Sequence, residues 1–171
     1  MDFTELSKSR YSVRKFSEKK VEDEKLKIIL EAGNAAPTAC NNHPQRNYVL
    51  NTPQSIEKLK KVSQYVFGAS CALIITSDES QVWKNPFSDK YNTGDIDCSI
   101  VCTHLMLQAW ELGIGSCWVG YFDPDLVAKE FILPENERVI AILPIGYPSE
   151  TAKPSHLHSK RKPLEETVKY L

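Results

Sequence analysis

Between Val21 and Ala36 apolar residues recur at helical spacing, with Leu26, Ile29 and Leu30 on one side, charges on the other, and Pro37 ending the run. The pattern predicts an amphipathic helix. Asn47 to Leu50 suits a short strand. Thr52-Pro53 then supplies an N-cap and a residue fitted to the first helical position, opening a lysine-rich helix to about Val66. Cys71-Ala-Leu-Ile-Ile-Thr76 reads as a buried strand. From Asp95 to Leu112 the positions Ile96, Ile100, Val101, Leu105, Met106, Leu107, Ala109 and Leu112 cover nearly the whole helical circumference. Such a helix must be buried on most sides. One small core cannot enclose it alone, so a second subunit covering part of it, and hence a dimer, is expected. Gly113 and Gly115 stop the helix and Ser116 to Val119 continues extended. Asp123-Pro124 caps a further helix to Phe131, and Arg138 to Ile145 is the last clear strand.

Helices and strands thus alternate, and an α+β layered domain fits best, with a parallel doubly wound fold as the competing architecture. The Pro- and Lys-rich tail from Pro148 to Leu171 has too little apolar content to fold by itself. It is expected to be disordered or to lie along another surface, such as a partner subunit. Asp78 to Asn92 is too long for a simple connection and holds Trp83, Phe87 and Tyr91. Those rings suit either a roof over a substrate pocket or a small satellite core, with equal weight.

At 171 residues, the chain is long enough for one continuous core and short for two, so residues 1–171 are expected to form a single domain. Lys and Arg number 21 against 22 Asp and Glu, which leaves no global field to recruit nucleic acid or an anionic membrane. A small-molecule partner is expected. Asp2, Thr4, Glu5 and Ser7 follow Met1 in place of a basic patch and apolar run, and no stretch approaches the ~20 apolar residues of a membrane span. Five cysteines, Cys40, Cys71, Cys98, Cys102 and Cys117, are odd in number and lack a Cys-x-x-Cys pair. A soluble, cytoplasmic protein without disulfides follows. Cys98 and Cys102 share a helical face, but His104 points roughly 200° from Cys102, so packing is favoured over metal ligation.

Arg10, Ser12, Arg14 and Lys15 form a dense cluster of cations and a hydroxyl, and Lys160, Arg161 and Lys162 form another near the opposite end. Guanidinium donors match phosphate oxygens in pairs and a serine hydroxyl adds a neutral donor. From charge alone a solvated surface is the better reading of both clusters.

Local sequences change that balance. Arg10-Tyr-Ser-Val-Arg-Lys-Phe16, Ala36-Pro-Thr-Ala-Cys-Asn-Asn-His-Pro44, Leu112-Gly-Ile-Gly-Ser-Cys-Trp-Val-Gly120, Leu143-Pro-Ile-Gly-Tyr-Pro148 and Arg161-Lys-Pro-Leu164 occur in one order over nearly the whole chain. Together they resemble the nitroreductase family. The resemblance implies a homodimer with FMN held between subunits, accepting hydride from NAD(P)H and passing it to a small electron-poor acceptor. It implies that Arg10 and Ser12 grip the FMN phosphate and ribityl chain, joined by Arg161, with Tyr11 and Lys160 in the same set. Arg14 matches a basic position near the flavin pyrimidine edge, where a cation favours the charge that reduced flavin carries around N1 and O2. Pro37, Thr38, Ala39 and Asn41 match a loop packed along the isoalloxazine ring. Trp118, Val119, Gly120 and Tyr121 match a segment on the ring's other face, where a glycine permits close backbone approach.

Without the resemblance, Trp118 reads as core and Pro37 to Asn41 as a helix-ending turn. Gly113-Ile-Gly115 follows a helix and precedes a strand, the reverse of a dinucleotide fingerprint. His43 and Gln45 stand where the family often has Gln and Trp, and Thr103-His104 replaces a common Gln-Asn, so the flavin's surroundings are expected to differ. His104 suits a core position better than a cofactor contact. His156 and His158 read as surface residues. No protein nucleophile or triad is expected, because the flavin carries the hydride chemistry. The rival functions are dehalogenation, flavin destruction or enone reduction on the same fold, and an FMN-binding module without turnover.

Overall fold

The computed structural model describes residues 1–88, 90, 91 and 93–171. Its elements run α1 (Phe3–Ser9), α2 (Asp23–Asn34), β1 (Gln45–Leu50), α3 (Pro53–Val62), β2 (Cys71–Asp78), α4 (Thr93–Glu111), β3 (Gly115–Ser116), α5 (Pro124–Phe131), β4 (Glu137–Gly146) and α6 (Leu164–Thr167), with a short 3₁₀ turn at Ala39–Asn41. The strands form one sheet in the order β1-β2-β4-β3. Every ladder between them is antiparallel, with Leu73 opposite Val49 on one side and Leu143 on the other. This is the α+β arrangement, and it overturns the doubly wound alternative. Alternation of helices and strands suggested parallel pairing, but the helices here return the chain to antiparallel neighbours.

Local chemistry sets the helix ends. Thr52 accepts from Ser55 N–H and the Ser55 hydroxyl accepts in return from Thr52 N–H, with Pro53 opening α3. Asp123 accepts from the N–H groups of Asp125 and Leu126 ahead of α5. The third helix ends at Val62, short of the expected Val66, because Ser63 is extended and its hydroxyl takes the N–H of Tyr65. The first helix was not foreseen. Asp2 caps it, but none of its residues is buried, so it leaves no hydrophobic period to read.

Side chains alternate across the sheet and feed two cores. Ile74 and Ile142 join Leu59 of α3 and Val127 of α5 on one face. On the other, Leu73, Ile75, Leu143 and Ile145 meet Ile29 of α2 and Val101 and Leu105 of α4. A Cβ added at Gly33 would come 2.6 Å from the Leu105 side chain, so glycine lets α2 approach α4 closely. The long helix α4 buries Cys98, Val101, Cys102, Leu105, Met106 and Ala109. Its own chain does not enclose it all round: Ile96 is 41% exposed, Thr103 is exposed, and Ile100 and Leu107 are half-buried. These four recur at i, i+4, i+7 and i+11, one stripe facing away from the sheet.

The segment before α2 is held to the end of β4 by polar contacts. Tyr147 donates to Glu22 at 2.6 Å and accepts from Lys25 at 2.8 Å, while the Lys19 ammonium lies 4.0 Å from the ring centroid. The hydrogen bond from Tyr147 is the largest cause that brings the Glu22 carboxyl down from 4.5 to about 2. Its folded value is lower than its unfolded one, so its contribution is complete above pH 4.5 and disappears as pH falls toward 2. The melting-temperature gap between wild type and Glu22→Gln is therefore expected to close as the pH is lowered through that window. A gap that stays constant across it would contradict the assignment.

Candidate functional site

The backbone around Arg10 to Phe16 is pinned to β3 and to the segment after β4. Val13 N–H donates to Ser116 at 2.9 Å, Phe16 bridges to Pro148, and Ser149 N–H donates to Lys15 at 3.0 Å. Val13 and Phe16 are buried in the core, which turns Ser12 and Arg14 the other way. Tyr11 packs edge-on against Trp110 of α4, with ring centroids 5.1 Å apart, and Trp110 donates to the Ser9 hydroxyl.

This arrangement brings most of the expected phosphate set together. Arg10, Tyr11, Ser12, Arg14, Ser155, Leu157, His158 and Arg161 line a cavity of about 360 Å³. Among the described residues no acidic side chain lines it. Three guanidiniums and three hydroxyl-bearing side chains around one space, with no carboxylate among the lining residues, are the chemistry of an anion site. Arg161 is held by the carbonyls of His158 and Lys160. Lys160 itself is exposed and does not line the cavity, so its carbonyl orients Arg161 while its ammonium faces solvent. Arg14 shares the cavity with Arg10 and donates to the Ser12 carbonyl at 3.4 Å. The His158 ring stands 6.1 Å from that of Tyr11.

From Ser116 the chain continues along β4. Trp118 packs with the α2 and α4 core and Val119 turns to the opposite one. Val119 N–H and C=O both bond Ile142, so the segment presents Gly120 and Tyr121 outward, with open space where a Gly120 side chain would stand. Tyr121 is 74% exposed and its ring meets Tyr65 edge-on at 5.5 Å. Gly120 to Asp123 and Lys60 to Gln64 border a second cavity of about 560 Å³.

Pro37, Thr38, Ala39 and Asn41 lie elsewhere. Ala39 N–H donates to Asp97 near the start of α4 at 2.8 Å, the Thr38 hydroxyl accepts from His43 N–H, and the Asn42 side chain donates to the Gln81 carbonyl. From Asp97 to Trp110 is 13 helical residues, or roughly 20 Å at ~1.5 Å each. The loop and the arginine cavity therefore sit at opposite ends of α4 within one chain.

Sequence reasoning missed two participants. His158 reads as a surface residue in a polar tail, yet it is half-buried and lines the cavity. Asp97 lies two residues from the exposed, ion-paired Asp95 and carries no motif, yet it is 2% exposed. His104 lies half-buried at the edge of the outward stripe of α4 and outside the core. In the Asp78 to Asn92 segment, Phe87 is 94% exposed and Tyr91 52%, which argues against a satellite core there. Trp83 and Tyr91 instead border a hollow of about 280 Å³. The Asn92 end of that expectation, and Asp89, lie outside the described residues. Burial raises the Cys98 thiol to about 12, and its sulfur donates to the Thr76 carbonyl. Among the described residues no helix is long and apolar enough to cross a membrane.

The sequence matches the nitroreductase family at residues 7–65 and 57–147. A protein of Methanothermobacter thermautotrophicus provisionally named NADH dehydrogenase/NAD(P)H nitroreductase is 30% identical over 157 residues, covering 88% of this chain and 79% of the relative. The crystal structure of a nitroreductase family protein from Clostridium difficile 630 superposes with a TM-score of 0.92 at 44% identity, over 99% of this chain and 98% of the other. An FMN-dependent nitroreductase from Clostridium difficile R20291 superposes with a TM-score of 0.74 at 27% identity, over 94% and 98%. With these matches and this fold, the chain belongs to the nitroreductase family of oxidoreductases.

Proposed function

We propose that the protein is a homodimeric FMN-dependent oxidoreductase that takes hydride from NAD(P)H and passes it, in ping-pong fashion, to small electron-poor molecules such as nitroaromatics, quinones or flavins. The observation that carries this reading is the acid-free cavity of Arg10, Ser12, Arg14 and Arg161, whose donors fit a phosphate dianion. Bound FMN would supply the hydride chemistry. The chain's own residues bind and orient it. Arg10, Arg161 and Ser12 take the phosphate, Tyr11 and the Lys160 carbonyl hold those groups in place, and the outward Gly120–Tyr121 edge, set by Trp118 and Val119, takes one side of the ring.

The loop of Pro37, Thr38, Ala39 and Asn41 lies roughly 20 Å along α4 from that cavity, which supports a site completed by two chains. In a two-fold dimer the loop of one protomer faces the cavity of its partner. The uncovered stripe of Ile96, Ile100, Thr103 and Leu107 supplies an apolar surface for that association. The tail adds Leu157, Leu164, Val168 and Tyr170, all exposed in the single chain. Both cores share one sheet, which supports reading residues 1–171 as a single domain.

The purified protein is expected to carry, or to take up on reconstitution, oxidised flavin visible in its absorption spectrum, and NADH or NADPH should bleach it anaerobically. Absence of flavin uptake would overturn the cofactor reading. Bound flavin that neither nucleotide bleaches would leave a flavin-binding module in place of an enzyme.

A further inference from the structure

The Thr38 to His43 loop holds three non-glycine residues in the left-handed region: Cys40 at φ 52°, Asn41 at 56° and His43 at 49°. Side chains disfavour that conformation, and such strain persists only where the surroundings over-determine it. Most restraints on the loop are local. Asn41 and Asn42 N–H bond back to Thr38 and Ala39, and His43 N–H bonds the Thr38 hydroxyl. Asn42 reaches the exposed Gln81. The restraint from the core is Asp97, whose Oδ1 accepts from Ala39 N–H at 2.8 Å, one residue before the strained pair begins.

Asp97 is placed at a cost. It is 2% exposed, and its second oxygen is buried with no hydrogen-bond partner among the described residues. Nearby Arg138 is engaged by Asp95 and Glu79. A buried carboxylate with one oxygen unsatisfied is unfavourable for packing alone, and an apolar residue would fill α4 more cheaply. What an apolar residue cannot do is hold the Ala39 amide.

We propose that Asp97 is the positioning residue of the cofactor-facing loop: by fixing Ala39 N–H it sets the backbone from Thr38 to Asn41, and through that loop it sets how the flavin is held, without touching the flavin. The inference rests on the FMN reading given above. Pro37, Cys40 and Asn41 are exposed, whereas Ala39 is the point at which their backbone is tied to a rigid helix. A loop on a rigid support presents its groups in one geometry, and small displacements of a binding loop are enough to weaken a ligand.

The test uses the full-length protein reconstituted with FMN and compares wild type, Asp97→Ala, Asp97→Asn and Ala39→Pro. The readouts are the FMN dissociation constant from flavin fluorescence quenching, the visible circular dichroism of the bound flavin, and its reduction potential. Asp97→Asn keeps an oxygen that can accept from Ala39 and is expected to stay within about threefold of wild type in FMN affinity. Asp97→Ala is expected to lose at least tenfold in affinity and to change the flavin dichroism and potential. Ala39→Pro removes the donor and leaves Asp97 in place. Thr38, at φ −133° and ψ 159°, already has the backbone a following proline requires. This variant should change affinity and flavin dichroism in the same direction as Asp97→Ala, and it carries the test alone if Asp97→Ala does not fold. Wild-type affinity and dichroism in both Asp97→Ala and Ala39→Pro would overturn the inference while leaving the FMN reading intact. A wild-type protein that binds no FMN would overturn both.

Discussion

Arg10→Ala is expected to weaken FMN binding by roughly 10- to 150-fold, the equivalent of about 1.5–3 kcal/mol for the loss of a hydrogen-bonded charged partner. The cavity explains why one arginine should matter this much. Arg10, Arg14 and Arg161 converge on about 360 Å³ with no carboxylate among the lining residues, so an incoming phosphate meets several preplaced cations. Removing one leaves the phosphate partly unpaired in a half-enclosed space. The phosphate carries the same charge whether the flavin is oxidised or reduced, so the reduction potential should barely move. Arg14→Ala should behave differently. A cation near the pyrimidine edge favours the reduced ring over the oxidised one, so its loss should make the potential more negative and slow hydride acceptance. Arg14 also lines the cavity shared with Arg10, and among the described residues its exposed guanidinium makes one hydrogen bond, the 3.4 Å contact to the Ser12 carbonyl. The pair of measurements separates its two assignments. Equal potentials in wild type and both variants would return Arg14 to the phosphate set.

Much of the fold was legible because the signals are local. Thr52-Pro53 and Asp123-Pro124 predict helix starts by chemistry that needs no tertiary context, and both caps form. Cys71 to Thr76 reads as a buried strand because apolar residues occupy both of its faces, and it becomes β2, central in the sheet and covered on both sides. What the sequence hides is long-range. The antiparallel pairing of β1 with β2 depends on where α3 lies, and no residue in either strand records it. Asp97 and His158 are invisible for a related reason. Each is an ordinary polar residue until the fold places it against Ala39 or among the arginines. The motifs around Arg10, Pro37 and Gly120 assign these residues to one site by resemblance alone. Within one chain, roughly 20 Å along α4 separates the Pro37 loop from the arginine cavity.

That separation makes the dimer the second large test. Ile100→Glu puts a charge at the middle of the outward stripe of α4, at a side chain that is half-buried in the single chain and packs in part against the core formed by Val101 and Leu105. The folded monomer should lose some stability but keep its fold, with far-ultraviolet dichroism close to wild type. A two-fold interface applies the substitution twice, side by side, and each carboxylate would be desolvated without a cation. Association should weaken by at least about 3 kcal/mol, more than 100-fold in dissociation constant. Sedimentation at micromolar concentration should show a monomer where wild type shows a dimer. FMN should be lost on gel filtration at the same time, because the Pro37 to Asn41 loop of one protomer no longer reaches the arginine cavity of its partner. A monomeric Ile100→Glu protein that keeps FMN as tightly as wild type would mean that one chain builds the whole site, and the roughly 20 Å between loop and cavity would then need another bridge.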